Sequence, residues 1–247
     1  MTTKVVPGQL VAASEISEVA RESARRIARA IRDGQAGRAP ACLALSGGNT
    51  PRPAYSLLAR EPGIDWTRVE VFWVDERAVP PTDDRSNFRW ASTTLLEPAG
   101  VPAHRVHRMR ADAPDAEGVA REYEQLLRDR VQPDADGIPA FDAMVLGIGD
   151  DGHTASLFPH DPSVEVIDRL VVPVPARGAR EARLTLTTPV IEHARHVFLI
   201  AVGANKLAAL ESVWAAQGEV ARTPARIVRG CRGSLTWIID KSAGGLA

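Results

Sequence analysis

Four short apolar runs, each ending in a polar loop, constrain this chain more than any other feature. Cys42 to Leu45 runs into Ser-Gly-Gly-Asn-Thr-Pro, and Val69 to Val74 into Asp-Glu-Arg. Phe141 to Leu146 runs into Gly-Ile-Gly-Asp-Asp-Gly-His, and Val197 to Val202 into Gly-Ala-Asn-Lys. Each run has the length of a buried strand. Helical patterns lie between them. Ser14 to Arg32 sets Ile16, Val19, Ala20, Ala24, Ile27, Ala28 and Ile31 on one face. Ser14 is the expected cap there. Thr50 is expected to cap a helix with Pro51 at its first position, and Ser86 a helix through Leu96. Asp115 to Val131 and about Asn205 to Ala216 are further helices. Leu170 to Val174, Arg183 to Leu186 and Leu235 to Ile239 are further strands. Alternation of this kind predicts an α/β fold with a mainly parallel sheet flanked by helices. Ligands of such sheets bind outside the carboxyl ends of the strands. The four polar loops therefore meet on one rim and can form one pocket.

The bulk numbers fit a globular protein with a substantial core. The chain has 247 residues, 45% of them hydrophobic, and a formal net charge of -1. That balance gives no reason to expect a nucleic-acid or membrane partner. No run is long enough to cross a bilayer, and the first residues lack the apolar core of a signal peptide. Two distant cysteines, Cys42 and Cys231, match no zinc spacing. Cytoplasmic residence is the expectation. The size fits one large domain or two small ones, and the short polar connector Gln132 to Pro139 is a candidate subdomain edge.

Each loop has a chemical reading and a plain one. Ser46, Gly47, Gly48, Asn49 and Thr50 join a strand to a helix N-terminus, where backbone N–H groups favour an anion such as phosphate. No Gly-Lys-Ser/Thr follows, so this is no Walker loop. The plain reading is a tight turn with a good cap. In Asp75-Glu76-Arg77, Arg77 can clamp a phosphate, with Asp75 or Glu76 holding it or meeting sugar hydroxyls. The plain reading is a solvated charge cluster. Gly147, Gly149 and Gly152 match G-x-G-x-x-G, but Asp150 and Asp151 would repel a dinucleotide's pyrophosphate. His153 sits where a strand end opens to solvent, beside a carboxylate that can orient it, which suits proton transfer. The spacing of Asp150, Asp151 and His153 matches no standard metal set. Only three of 30 cationic residues are lysine (Lys4, Lys206 and Lys241). Lys206 opens a helix, where the macrodipole disfavours a cation. An anionic ligand would explain it; the plain reading is a surface lysine reaching water.

Together these stretches resemble the 6-phosphogluconolactonases. The matching segments are LALSGGNTP, VFWVDERAVP with DDRSNFRWA, LGIGDDGHTASLFP, EARLTLTTPVI, GANKLAAL, and TPARIV leading to LTWIIDKSA. They cover nearly the whole chain. The resemblance implies one α/β domain of modified Rossmann type with no metal and no redox cofactor. It implies hydrolysis of 6-phospho-D-glucono-1,5-lactone to 6-phosphogluconate, a step of the pentose phosphate pathway. It puts the general base at His153, its partner carboxylate at Asp151 beside Gly149, the phosphate-binding arginine at Arg77 and a loop lysine at Lys206. An arginine before the TLT strand falls on Arg183, with Arg177 and Arg180 as rivals in register. The glycine that usually follows SLFP is His160 here, which implies a loop difference without a change of chemistry. No obligate protein partner is implied. Two other functions compete. One is a deaminase-isomerase acting on glucosamine 6-phosphate, whose loop continues with Phe-Asn-Glu-Pro where this chain has Ala155 to Pro159. The other is a non-catalytic sugar-phosphate sensor.

Overall fold

A computed structural model describes residues 5–37 and 39–246. Lys4 therefore lies outside the described residues. The strands are β1 (Gln9–Ala13), β2 (Ala41–Leu45), β3 (Val69–Trp73), β4 (Asp75–Arg77), β5 (Ala143–Leu146), β6 (Val171–Val174), β7 (Arg183–Leu186), β8 (His196–Ala201) and β9 (Ser234–Asp240). The helices are α1 (Ile16–Gln35), α2 (Arg52–Leu58), α3 (Asn87–Ala91), α4 (Glu97–Ala99), α5 (Ala116–Arg130), α6 (Thr188–Glu192), α7 (Leu207–Trp214) and α8 (Lys241–Gly244).

Six strands form a parallel sheet in the order β1-β9-β8-β5-β2-β3. β2, β3 and β5 are buried at every residue, as helix-covered parallel strands are. From β2 the chain moves outward to β3, and β5 then returns to the other side of β2. The strand order reverses between β2 and β5, so a crevice opens above them. The loop from Ser46 leaves β2 and the loop from Gly147 leaves β5.

A second, antiparallel sheet has the order β4-β7-β6. Val74 joins the two sheets: its N–H donates to Leu45 and its carbonyl accepts from Leu186. The charged segment Asp75–Arg77, expected as a loop, is thus a strand. Its partner β7 lies more than a hundred residues away and leaves no local pattern.

Local starts differ by a residue from expectation. Glu15, not Ser14, is the N-cap of α1, because the Glu18 carboxylate reaches back to the N–H groups of Ser14 and Glu15. Pro51, not Thr50, is the N-cap of α2. Ser86 does cap α3, accepting from Arg89 N–H. The helix then widens into a π turn over Ser92–Leu96. Thr93 and Thr94 hydroxyls donate to carbonyls of the preceding turn there, and such back-bonding competes with the regular ladder.

Candidate active site

The crevice holds a cavity of about 380 Å³ lined by residues 46–51, Asp75, Arg77, Asn87, residues 147–149, His153, Arg183 and Lys206, among others. Ser46 to Thr50, Asp75, Arg77, Gly149, His153, Arg183 and Lys206 all line it; Asp151 touches it through His153, while Glu76, Asp150, Arg177 and Arg180 do not line it.

The Ser46 loop is pinned at its base. The Tyr55 hydroxyl donates to the Ser46 carbonyl at 2.8 Å and accepts from its N–H at 3.1 Å. Gly47 is required by a close approach: a Cβ there would lie 1.6 Å from Asn87 Oδ1. Gly48 has φ +93°, a conformation open to glycine.

Glu76 faces away from any substrate. Its buried carboxylate accepts from the N–H groups of Arg77, Asn87 and Phe88 and from the Ser86 hydroxyl. It anchors the start of α3, and burial pushes its pKa up. Asp75 is also buried, and it does not hold Arg77. It accepts from Ser156 Oγ at 2.6 Å and Asn87 Nδ2 at 3.1 Å, and lies 3.5 Å from Arg183 Nη1.

Arg77 and Arg183 stand directly opposite each other across β4 and β7. Like charges in that position repel. Both line the cavity, and the Nε of each is buried without a hydrogen-bond partner. Burial, above all, lowers the Arg183 pKa; Asp75 opposes this, and Arg77 adds to it. Two guanidinium groups held side by side, with donors to spare, suit an anion. Of the three arginines in question, Arg183 reaches the cavity. Arg180 instead stacks on Phe158, its guanidinium carbon 3.8 Å from the ring centroid, and pairs with Asp161.

The histidine loop is closed by Gly149 N–H to the His153 carbonyl at 2.8 Å. Asp151 Oδ1 accepts the His153 N–H at 3.1 Å and lies 2.6 Å from Nδ1. With Nδ1–H donating to the carboxylate, the lone pair falls on Nε2. That bond, first among its causes, holds the Asp151 pKa below the ordinary range. Phe158 packs against the imidazole, ring centroids 4.6 Å apart. Gly149 leaves room for the ring, since a Cβ there would sit 2.0 Å from His153 Nδ1. Ala155, next to this loop, has φ +49°, a strained value for a non-glycine residue.

Asp150 and Asp151 point to different partners. Asp150 takes Lys206 Nζ at 2.5 Å and Asn205 Nδ2 at 2.9 Å. Lys206 lies just ahead of α7, and this carboxylate offsets the macrodipole. The three loop residues therefore do not converge as metal ligands. Asp134, Asp136 and His193 do form one such grouping, but it lies at the chain entries to β5 and β8, away from the rim.

Asn87 and Ser156 were not apparent from the sequence. Both tie Asp75 to its surroundings, and Ser156 is 81 residues from Asp75 along the chain. No local pattern signals such a contact.

Comparisons with known proteins agree in direction. The sequence model for glucosamine-6-phosphate isomerases/6-phosphogluconolactonase matches residues 14–237. A Synechocystis 6-phosphogluconolactonase is 42% identical over 219 residues, covering 89% of this chain and 88% of its own. One from Streptomyces coelicolor is 36% identical, covering 95% and 93%. The solved 6-phosphogluconolactonase of Trypanosoma brucei superposes with a TM-score of 0.85 at 27% identity, covering 96% and 98%. A monomeric glucosamine-6-phosphate deaminase superposes at 0.80 with 21% identity, which speaks for the fold alone.

Proposed function

The chain belongs to the family of glucosamine-6-phosphate isomerases and 6-phosphogluconolactonases, its reaction is the hydrolysis of 6-phosphogluconolactone in the pentose phosphate pathway, and we propose that His153 is the group that activates water for it. The observation that carries this reading is the Asp151–His153 pair at 2.6 Å, on the rim of a cavity that also holds the facing Arg77 and Arg183. A base at one side and an anion cradle at the other match a phosphorylated lactone.

In the proposed sequence, His153 Nε2 removes a proton from water as the oxygen attacks C1. Asp151 fixes the tautomer and stabilises the imidazolium that forms. The tetrahedral intermediate carries charge on the former carbonyl oxygen, and in this reading the N–H groups of Gly147 and Ile148 meet it, the Gly149 N–H being held by the His153 carbonyl. Collapse breaks the bond from C1 to the ring oxygen, which takes the proton from the imidazolium. Arg77, Arg183 and the loop Ser46–Thr50 hold the phosphate, with Lys206 beside them; Asp75 keeps Arg183 in place. Binding energy at the phosphate then positions the reacting carbon.

The remaining features of the reading are proposals as well. Residues 1–247 act as one domain, supported by pairing of β1 with β9 from opposite ends of the chain. Among the described residues no helix is long and apolar enough to cross a membrane, and both cysteines are free thiols. Those thiols suit the cytoplasm. Each chemical step uses groups of the chain itself, so no cofactor or metal is invoked.

The test is hydrolysis of freshly prepared lactone in the presence of a chelator, alongside ammonia release from glucosamine 6-phosphate. Lactone hydrolysis above background without ammonia is expected. The stretch Ala155 to Pro159 carries no carboxylate that could serve a second proton relay. Ammonia release at a comparable rate would favour the isomerase branch of the family.

A further inference from the structure

A second cavity, of about 750 Å³, lies at the opposite end of the sheet. It is a wedge between α1 and the N-terminal ends of β1, β9 and β8. α1 contributes Arg25, Arg26, Arg29 and Arg32; the sheet contributes Gln9, Ser234, Thr236, His196 and Phe198.

Two independent observations set the wedge apart from an ordinary solvated helix face. The first is its floor. A sheet surface beneath a helix is normally apolar. Here the register aligns Ser234 with His196, and Thr236 with both Phe198 and Gln9. The floor thus presents two hydroxyls, an amide and an imidazole. His196 Nδ1 lies 3.0 Å from the Asp142 carbonyl, which fixes it as the donor and leaves Nε2 as the free position.

The second is the charge balance. Glu22 bonds to Arg25 at 2.8 Å and Arg26 at 3.1 Å, and Asp33 lies 3.8 Å from Arg29. Two carboxylates thus pair with three of the four guanidinium groups, while Arg26 also donates to the Gln9 amide oxygen at 3.0 Å and Arg32 to the Pro62 carbonyl at 2.9 Å, neutral partners that leave a surplus of positive charge. Arg25, Arg29 and Arg32 follow a single helical stripe, at about 1.5 Å rise per residue, so they span roughly 10 Å. That length matches a chain of linked phosphates better than one phosphate. Guanidinium forks bind phosphate oxygens in pairs.

We propose that this wedge is a binding site for an oligophosphate, free or carried by a nucleotide. It rests on this face alone and stands or falls separately from the lactonase reading.

The experiment is calorimetric titration, without divalent metal, of tripolyphosphate, ATP and orthophosphate into the whole protein. Tripolyphosphate should bind at least tenfold more tightly than orthophosphate. Arg25→Glu with Arg29→Glu should weaken it at least tenfold. Those side chains are 64% and 81% exposed, so the fold and the lactonase rate should persist, as a melting curve and an assay will show. Arg77→Ala with Lys206→Ala should leave this binding unchanged. ATP binding more tightly than tripolyphosphate would assign the site to a nucleotide, and equal binding to the phosphate chain itself. Absence of tripolyphosphate binding at millimolar concentration would overturn the proposal. So would binding indifferent to the α1 reversals, or binding lost with Arg77 and Lys206, which would place the ligand in the rim cavity.

Discussion

At the level of single residues, the proposed phosphate cradle rests on Arg77 and Arg183. Each sits opposite the other across β4 and β7, with a buried Nε left unpaired. Without an anion between them, such an arrangement costs free energy through repulsion and desolvation. A charge-assisted contact to phosphate contributes about 1.5–3 kcal/mol, a factor of roughly 10 to 150. Arg77→Ala and Arg183→Ala should each weaken binding of 6-phosphogluconate by that order, and weaken gluconate much less. Equal losses for the two ligands would remove these arginines from phosphate recognition. Lys206 belongs to a different class, because its ammonium already has a partner in Asp150. Its unfavourable place at a helix start, read from the sequence as a sign of an anionic ligand, is at least partly explained by that carboxylate.

The decisive elements are the loops, and two glycine-type positions test them. A Cβ at Gly149 would fall 2.0 Å from His153 Nδ1. Gly149→Ala should therefore displace the imidazole from Asp151 and lower turnover at least tenfold, with little loss of melting temperature. Unchanged turnover would mean that the Asp151–His153 geometry does not govern catalysis. His160 tests the departure in the loop after Phe158. It has φ +58° and its N–H donates to the Ala221 carbonyl. The loop thus keeps a left-handed conformation without glycine, at a cost of about 1 kcal/mol. His160→Gly should raise stability by up to about 1 kcal/mol in denaturant unfolding and leave the lactonase rate alone. A destabilised variant would show that the imidazole makes contacts that outweigh the backbone strain. Loops of this kind were legible in the sequence because each follows a contiguous apolar strand. β1 was not legible: Gln9–Ala13 is a partly exposed edge strand, so its burial pattern is weak. β4 was hidden for the opposite reason. Its three charged residues form a strand only through β7, a partner remote in sequence. The network around Asp75 was hidden by the same distance, and so was the placement of Arg183 in the crevice, which depends on the pairing of β7 with β4.

At the scale of the whole molecule, each end of the sheet carries a proposed site. The carboxyl ends of β2 and β5 open the crevice at a reversal of strand order, and His153, Arg77 and Arg183, the proposed base and anion cradle, line it together. The other end carries the arginine wedge under α1. The architecture thus separates chemistry from the second proposed site by the length of the strands. The central claim concerns the first end: His153 activates the water that opens the lactone. The most direct measurement is turnover of freshly prepared 6-phosphogluconolactone by the wild-type protein and by His153→Ala, each corrected for spontaneous hydrolysis, with product binding measured on the same samples. General-base catalysis of this kind contributes about a hundred- to ten-thousand-fold. The account predicts a loss of that order in kcat for His153→Ala, with 6-phosphogluconate still bound. Near-wild-type turnover by the variant would contradict it.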